Sequence, residues 1–271
     1  MSTISSFETR DHAKIVYELH GDPASKDRVA LIHSLAMDHN YWRPVAERLV
    51  KAGVCAVALD CRGHGASDKP KGPYFASTFA EDMNELFNHL KWPEAVVGGS
   101  SMGGSVALAF AARHTHRVSG LALIDTTAWY GKDAEKAWAD RATAAKTKGL
   151  ASLIDFQLTR WFGDAFKAAN PDVVKACVDT FLANDVEAYA ATCRMLGEFD
   201  QRVSLPHFKM PVRIMVGEED YATPPAMAED MNAMIEQSTY RVVPGARHLT
   251  PLEVPDIVAE EILATLKATR G

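Results

Sequence analysis

Residues 95–112 read AVVGGSSMGGSVALAFAA, and this stretch decides the fold. Its first residues form a short apolar run, which predicts a buried strand over 95–99. Glycines then surround a pair of serines, and a second apolar segment predicts a helix over 103–112. A strand that turns this sharply into a helix leaves no room for Cβ atoms beside the tip of the turn. The glycines therefore indicate a tight strand–turn–helix unit with one serine at its tip.

The spacing of the glycines selects which serine lies at the tip. The pattern G-x-S-x-G fits Gly99–Ser100–Ser101–Met102–Gly103, whereas a frame one residue earlier puts Met102 where the second glycine is needed. Ser101 is therefore the candidate nucleophile and Ser100 its neighbour. A glycine-rich loop with a solvated serine is the alternative, and the flanking strand and helix patterns argue against it.

The same alternation of short apolar runs and helical patterns covers most of the chain. We expect further strands at 13–19, 28–33, 54–60, 118–124, 211–217 and 240–243, and helices at 78–90, 225–235 and 255–267. Near-continuous apolar strands between helices are typical of a doubly wound α/β domain, with a mostly parallel sheet and helices on both faces. Residues 1–127 and 206–271 would form this core. Residues 128–205 show helical spacing without strand patterns and predict a helical cap, interrupted at Asn170–Pro171.

A serine hydroxyl needs a base to activate it and an acid to orient that base. In this type of fold the chain order is Ser, then Asp or Glu, then His. Asp220 follows the strand predicted at 211–217, and His248 lies on a loop before the last helix. These two residues are the candidate acid and base. Asp125, at the end of another predicted strand, is a second candidate for the acid.

Acyl transfer also needs two N–H donors for the negatively charged oxygen of the tetrahedral intermediate. The amide that follows the nucleophile, that of Met102, is one candidate. The second would come from the loop after the strand predicted at 28–33, and we select the Leu35 amide. His33, which ends that strand, is expected to shape this loop. His64 is expected to pack in the turn after Asp60.

Composition narrows the class of protein. The chain has 271 residues, of which 47% are hydrophobic and 24% charged, with a formal net charge of −6. An acidic chain of this kind is not expected to bind nucleic acid or an anionic membrane, and its partner is expected to be a small molecule. The four cysteines lack metal-ligand spacing and are read as reduced core thiols. No signal peptide or membrane-length apolar run is seen, so we expect a cytoplasmic protein; a homo-oligomer is left open.

These residues resemble the α/β-hydrolase superfamily over nearly the whole chain, and within it the 3-oxoadipate enol-lactonases. The similarity lies in the stretches IHSLAMD (32–38), DCRGHGAS (60–67), GPY (72–74), RWF (160–162) and YAATC (189–193). One departure concerns the loop after the second predicted strand. His33 and Ala36 stand there where the lactonases usually show the Asn and Gly of Asn-Ser-Leu-Gly.

The resemblance implies a serine hydrolase of lactones or small carboxylic esters that needs no metal or organic cofactor. It also implies that cap residues cover the site, so Arg160 is expected to bind a substrate carboxylate, with Trp161 as an apolar wall; a surface ion pair is the alternative for Arg160. Ser34 and Met37 are further candidates for substrate contact, and Trp42 and Trp129 for pocket walls. A general carboxylesterase, a C–C bond hydrolase, a perhydrolase and a non-catalytic ligand receptor are the alternative functions.

Overall fold

The computed structural model describes residues 2–270 and contains one eight-stranded sheet. Its strands are β1 (Ser2–Glu8), β2 (Lys14–His20), β3 (Arg28–Ile32), β4 (Cys55–Leu59), β5 (Ala95–Ser100), β6 (Val118–Ile124), β7 (Val212–Gly217) and β8 (Ser238–Val243). They are arranged in the order β1-β2-β4-β3-β5-β6-β7-β8. Only β2 pairs antiparallel, with β1 and with β4, and the remaining pairs are parallel. The predicted mostly parallel α/β sheet is confirmed.

Eleven α-helices lie within the described residues 2–270. They are α1 (Arg43–Lys51), α2 (Ala76–Leu90), α3 (Met102–Arg113), α4 (Ala134–Lys148), α5 (Ile154–Trp161), α6 (Asp164–Ala169), α7 (Pro171–Leu182), α8 (Val186–Gly197), α9 (Pro225–Met234), α10 (Thr250–Glu253) and α11 (Pro255–Ala268). None of these helices has both the length and the apolar composition that a membrane crossing requires.

Helices cover both faces of the central strands. All residues of β4 and β5 are buried, as expected for strands between two helical layers. A Cβ placed on Gly98 would lie 3.7 Å from Ile262 of α11, whereas one on Gly99 would overlap the backbone of Gly103 in α3. Successive strand residues point to opposite faces, so α11 and α3 lie on opposite sides of the sheet.

The segment between β6 and β7 contains helices α4 to α8, and α4 packs on α8. Helix α6 ends at Ala169 and α7 begins at Pro171, because a proline has no N–H for an intrahelical bond and suits a first turn. This segment corresponds to the helical insertion expected over residues 128–205. It follows β6 in the chain, and the candidate residues Ser101 and Asp125 lie just after the ends of β5 and β6.

Two elements at the start of the chain are not among the sequence predictions. Strand β1 (STISSFE) has one buried residue, so it lacks the apolar run that identifies an inner strand. Helix α1 buries Val45, Ala46 and Leu49, a helical spacing that the sequence does contain.

Candidate active site

Ser101 lies between the end of β5 and the start of α3, in a backbone conformation that residues with side chains rarely adopt. Its φ is 55° and its ψ is −119°. The Ser101 N–H donates to the Ile124 carbonyl at 2.9 Å. The Thr126 hydroxyl donates to the Ser101 carbonyl at 2.7 Å. The end of β6 therefore holds the turn on both sides of the serine, which is how an unfavourable conformation persists at a functional position.

Two glycines make this turn sterically feasible. A Cβ on Gly99 would overlap the carbonyl group of Gly103, and a Cβ on Gly103 would overlap the carbonyl oxygen of Ile32. Both obstacles are backbone atoms, which cannot move aside as a side chain can. The glycine positions two before and two after Ser101 thus have the steric role that the sequence pattern predicts.

We expect Gly103→Ala to lower the free energy of unfolding by about 3 kcal/mol or to prevent folding, because the added methyl group meets backbone. Gly98→Ala is the matched control in the same segment, since its Cβ would meet the end of the Leu31 side chain at 3.0 Å. We expect that variant to lose about 1 kcal/mol or less. Urea unfolding followed by circular dichroism measures both; equal losses would contradict the steric account.

The structure brings Ser101, His248 and Asp220 together in one chain of hydrogen bonds. His248 Nε2 lies 2.9 Å from Ser101 Oγ, and His248 Nδ1 lies 2.7 Å from Asp220 Oδ2. Because a carboxylate only accepts, Nδ1–H donates to Asp220 and Nε2 is left to accept the Ser101 hydroxyl proton. Ser101 and His248 are 8% and 6% exposed, so the reacting groups are nearly shielded from water.

Asp220 is held by its own loop. Its Oδ1 accepts from the amides of Ala222 at 2.7 Å and Thr223 at 2.9 Å, and its Oδ2 accepts from the Thr223 hydroxyl at 2.9 Å. The side chain is fully buried. Three donors besides His248 satisfy both oxygens of this buried side chain and fix its orientation. Asp125, the second candidate for the acid, does not contact His248; it bonds to Gly217 and Thr250.

The loop after β3 brings a second backbone amide to the site. Leu35 lines the same cavity as Ser101, and Met102 is the first residue of α3. Within the described part of the chain, neither amide donates to another backbone or side-chain group. His33 supports this loop: its Nδ1–H donates to the Ser34 carbonyl at 2.8 Å, and its Nε2 accepts from the Cys61 amide at 3.0 Å. Burial lowers the pKa of His33, which agrees with a neutral ring in this arrangement.

A cavity of about 60 Å³ lies above Ser101. It is lined by Ser34, Leu35, Ser101, Tyr130, Trp138, Arg141, Gln157, Arg160, Trp161, Ala222, Thr223 and His248. A larger outer chamber of about 570 Å³ adjoins it. Both are lined by Tyr130, Trp138, Arg141, Arg160 and Ala222. The inner cavity and the outer chamber therefore share a wall formed by α4, α5 and the loop after β7.

The residues expected at the substrate divide into two groups. Ser34, Arg160 and Trp161 line the inner cavity. Met37 does not: its amide turns back to the Ser34 carbonyl at 3.1 Å, and its side chain is 2% exposed within the hydrophobic core. Met37 thus lies outside the cavity lining, and its contact with substrate stays a prediction. The two tryptophans proposed as pocket walls, at positions 42 and 129, are also outside this lining.

Six lining residues are not among the sequence candidates: Tyr130, Trp138, Arg141, Gln157, Ala222 and Thr223. A signal for three of them exists in the sequence. Trp138 and Arg141 are three residues apart on α4. On α5, Gln157 lies three residues before Arg160 and four before Trp161. Side chains at these spacings share one helical face, so the cap helices present polar and aromatic groups to the cavity.

Two arginines at the cavity lack carboxylate partners. The Arg141 Nε–H donates to the Tyr189 hydroxyl at 2.6 Å, and its guanidinium stacks 4.9 Å from the Trp138 ring. Arg160 donates to the Tyr221 carbonyl at 3.1 Å and lies 4.2 Å from the Phe156 ring. Within residues 2–270 neither guanidinium forms a salt bridge. Arg160 therefore lacks the surface ion pair that was the alternative to substrate binding.

The environment of Arg160 reflects this lack of a partner. Burial lowers its pKa, and the positive charge of Arg141 lowers it further. Two positive charges that repel one another beside a partly buried cavity favour an anion between or next to them. Across the described range, no group of three or more His, Cys, Asp or Glu side chains is arranged to hold a metal ion.

Comparison with known proteins identifies the family to which the fold belongs. The family model described as alpha/beta hydrolase fold matches residues 27–255. The chain is 31% identical to 3-oxoadipate enol-lactonase 2 of Acinetobacter baylyi over 244 residues, which covers 89% of this chain and 90% of that protein.

Solved structures give a similar result. The enol-lactonase from Burkholderia xenovorans superimposes with a TM-score of 0.92 at 30% identity, covering 97% of this chain and 100% of that one. A thermophilic esterase from Thermogutta terrifontis gives a TM-score of 0.90 at 28% identity, with both chains fully covered. The family match spans most of the chain, from the start of β3 to the start of α11. The chain is a member of the α/β-hydrolase fold family, and it resembles the 3-oxoadipate enol-lactonases within it.

Proposed function

We propose that the protein is a serine hydrolase that opens an anionic lactone or a small anionic carboxylic ester through an acyl-enzyme at Ser101. The observation that carries this proposal is the hydrogen-bonded chain from Ser101 through His248 to Asp220. It lies at a cavity that is also lined by two arginines without carboxylate partners. The similarity to 3-oxoadipate enol-lactonases supports a lactone as substrate.

The first half of the reaction forms the acyl-enzyme. His248 Nε2 accepts the proton of Ser101 as Oγ attacks the carbonyl carbon, and Asp220 stabilises the imidazolium that results. The amides of Leu35 and Met102 donate to the oxyanion, and loss of one such donor costs about 3 kcal/mol of transition-state stabilisation.

The tetrahedral intermediate then collapses. The carbonyl re-forms, the C–O bond to the leaving oxygen breaks, and that oxygen takes the proton from His248. In a lactone the leaving oxygen stays attached to the acyl chain, so the ring opens without release of a fragment. In the second half, His248 removes a proton from water, the hydroxide attacks the Ser101 ester, and the free acid leaves as Ser101 is reprotonated.

The two arginines support an anionic substrate. A guanidinium donates two parallel N–H bonds to a carboxylate, and Arg141 and Arg160 both line the cavity that contains Ser101. The Thermogutta terrifontis esterase has a structure with malate bound, and malate is a dicarboxylate. We therefore propose that a carboxylate of the substrate lies at the junction of the inner cavity and the outer chamber, beside these two arginines.

We expect Arg141→Gln to raise KM for 3-oxoadipate enol-lactone by about 30-fold, because a charge-assisted hydrogen bond contributes about 2 kcal/mol. The kcat/KM for the neutral ester p-nitrophenyl acetate should change by less than about threefold. Arg202→Gln is the matched control, since Arg202 stacks on Trp129 and lies outside the cavity lining. An equal loss on the neutral ester would contradict anion binding and indicate distortion of the site.

A general carboxylesterase is the second candidate, favoured by the likeness to the esterase structure and by the volume of the outer chamber, about 570 Å³. Initial rates on the enol-lactone, a neutral lactone of similar size and p-nitrophenyl butyrate distinguish the two. The lactonase proposal predicts the highest kcat/KM for the anionic lactone. If the protein prefers the butyrate ester and does not turn over the enol-lactone, the serine mechanism still stands but the proposed substrate is excluded.

A further inference from the structure

Asp125 is a buried acid at the centre of the site that the proposed mechanism does not use. It follows β6 directly, has a φ of 48° and is completely inaccessible to solvent. Its amide donates to the Met215 carbonyl of β7 at 2.8 Å. The residues on either side of it, Ile124 and Thr126, hold the backbone of Ser101. The chain around Asp125 is thus in contact with the nucleophile's turn.

The carboxyl group of Asp125 connects two other segments. Its Oδ1 accepts from the Gly217 amide at 3.2 Å. Its Oδ2 accepts from the Thr250 amide at 3.2 Å and lies 2.5 Å from the Thr250 hydroxyl. Gly217 ends β7 three residues before Asp220, and Thr250 begins α10 two residues after His248. One carboxyl group therefore joins the loop of the candidate acid to the loop of the candidate base.

These two loops touch each other where Asp125 joins them. A Cβ on Gly217 would overlap the carbonyl oxygens of Ala246 and Arg247, so no side chain can lie between the end of β7 and the loop that precedes His248. The Glu219 amide also donates to the Ala246 carbonyl at 3.0 Å. The separation of the loops is thus set by close backbone packing on one side and by the Asp125 carboxyl on the other.

Among the described residues, Asp125 is surrounded by hydrogen-bond donors but by no cationic side chain. In the region covered by the structure it forms no ion pair with a lysine, arginine or histidine. Burial raises the pKa of Asp125 well above its usual range, and the negative charge of Asp220 raises it further. Its contacts are hydrogen bonds to neutral groups, so its effect on the site would come from geometry and not from an electric charge.

We propose that Asp125 is a positioning residue, whose single buried carboxyl group fixes the loop of Asp220 against the loop of His248. The inference rests on the proposed function, because it assigns Asp125 a role in the reaction of Ser101. Misplacement of catalytic groups by about 1 Å can cost about 100-fold in rate. Loss of this link should therefore lower kcat while leaving substrate binding nearly unchanged.

The test compares Asp125→Ala, Asp125→Asn and Thr250→Val by kcat, KM and the pH dependence of kcat on p-nitrophenyl acetate, with thermal unfolding of each variant. We expect Asp125→Ala to lower kcat by about 10- to 100-fold with KM within about threefold. Asp125→Asn keeps an acceptor oxygen for Gly217, and its NH2 group can donate to the Thr250 hydroxyl but cannot accept from the Thr250 amide. Its kcat should therefore fall between those of Asp125→Ala and wild type, with the acid limb of the pH profile unmoved. Asp82→Asn is the control, a buried carboxyl that bonds to Arg62 instead, and it should alter stability but not kcat.

A folded Asp125→Ala variant with kcat within about twofold of wild type would overturn the proposal. So would an Asp125→Asn variant as slow as Asp125→Ala with a shifted acid limb, since this would mean that Asp125 acts through its charge. Should Asp125→Ala fail to fold, Thr250→Val decides: a loss of at least about threefold in kcat supports the link, and an unchanged kcat overturns it. Ser101→Ala distinguishes failure of the proposed function from failure of the role assigned to Asp125. If that variant is fully active, the proposed function itself fails; if it is inactive while the Asp125 variants are unaffected, only the role of Asp125 fails.

Discussion

Replacing Ser101 by alanine is expected to lower kcat for every ester and lactone by a factor of about 10⁴ or more, while the melting temperature stays close to that of wild type. In the proposed mechanism the hydroxyl oxygen forms the new bond to the carbonyl carbon, so its removal leaves no group to make the acyl-enzyme. The Ser101 side chain hydrogen-bonds to His248, and alanine, which is no larger than serine, fits the same backbone position. Steady-state kinetics and differential scanning fluorimetry measure the two quantities.

Ser100→Ala is the matched control for this variant. The two serines are adjacent, but the Ser100 hydroxyl bonds to the Tyr41 hydroxyl at 2.8 Å within the buried core. We expect that variant to keep kcat within about tenfold of wild type and to lose some stability, because a buried hydroxyl of Tyr41 loses its partner. If Ser100→Ala were the inactive variant and Ser101→Ala the active one, the reading frame of the glycine pattern would be wrong.

Replacing Asp220 by asparagine is expected to lower kcat by about 10³- to 10⁴-fold near neutral pH. An asparagine in that position can donate to His248 Nδ1, and the imidazole proton would then lie on Nε2. A protonated Nε2 cannot accept the proton of Ser101. Asparagine also gives no negative charge to stabilise the imidazolium. Rates on p-nitrophenyl acetate, measured from pH 6 to 10, test this expectation.

Glu219→Gln is the control for the acid. Glu219 is the neighbour of Asp220 on the same turn, but its carboxylate pairs with Arg247 at 3.2 Å and it is 43% exposed. That variant should keep kcat within about twofold, as expected for a surface ion pair. Asp220→Asn with a near-normal rate would contradict the assignment of Asp220, and an inactive Glu219→Gln would transfer the role to its neighbour.

The sequence predicted the features that depend on local patterns. The frame of the glycines around Ser101 identifies the tip of the turn, because Gly99 and Gly103 face backbone at fixed offsets along the chain. The inner strands are found because burial on both faces requires unbroken apolar runs, as in β4 and β5. Asp220 and His248 could be selected because each lies after a predicted strand, with the acid before the histidine in the chain.

Features that depend on packing between distant segments were not predicted. Arg141 belongs to the cavity because α4 packs on α8 and places its guanidinium on the hydroxyl of Tyr189, 48 residues away. Met37 belongs to the loop after β3, yet its amide turns back to the Ser34 carbonyl and its side chain lies in the core. Edge strand β1 is recognised only by its pairing with β2, since its own residues are mostly exposed.

Identification of the residue that reacts as the nucleophile tests the central claim most directly. The wild-type protein would be treated with p-nitrophenyl diethyl phosphate, a reagent that phosphorylates activated serines, and then analysed by intact mass and by peptide mapping. The account predicts one diethylphosphoryl group per chain, attached to Ser101, with activity lost in proportion to labelling, and no adduct in Ser101→Ala. An adduct on another residue, or full activity in a completely labelled protein, would contradict it.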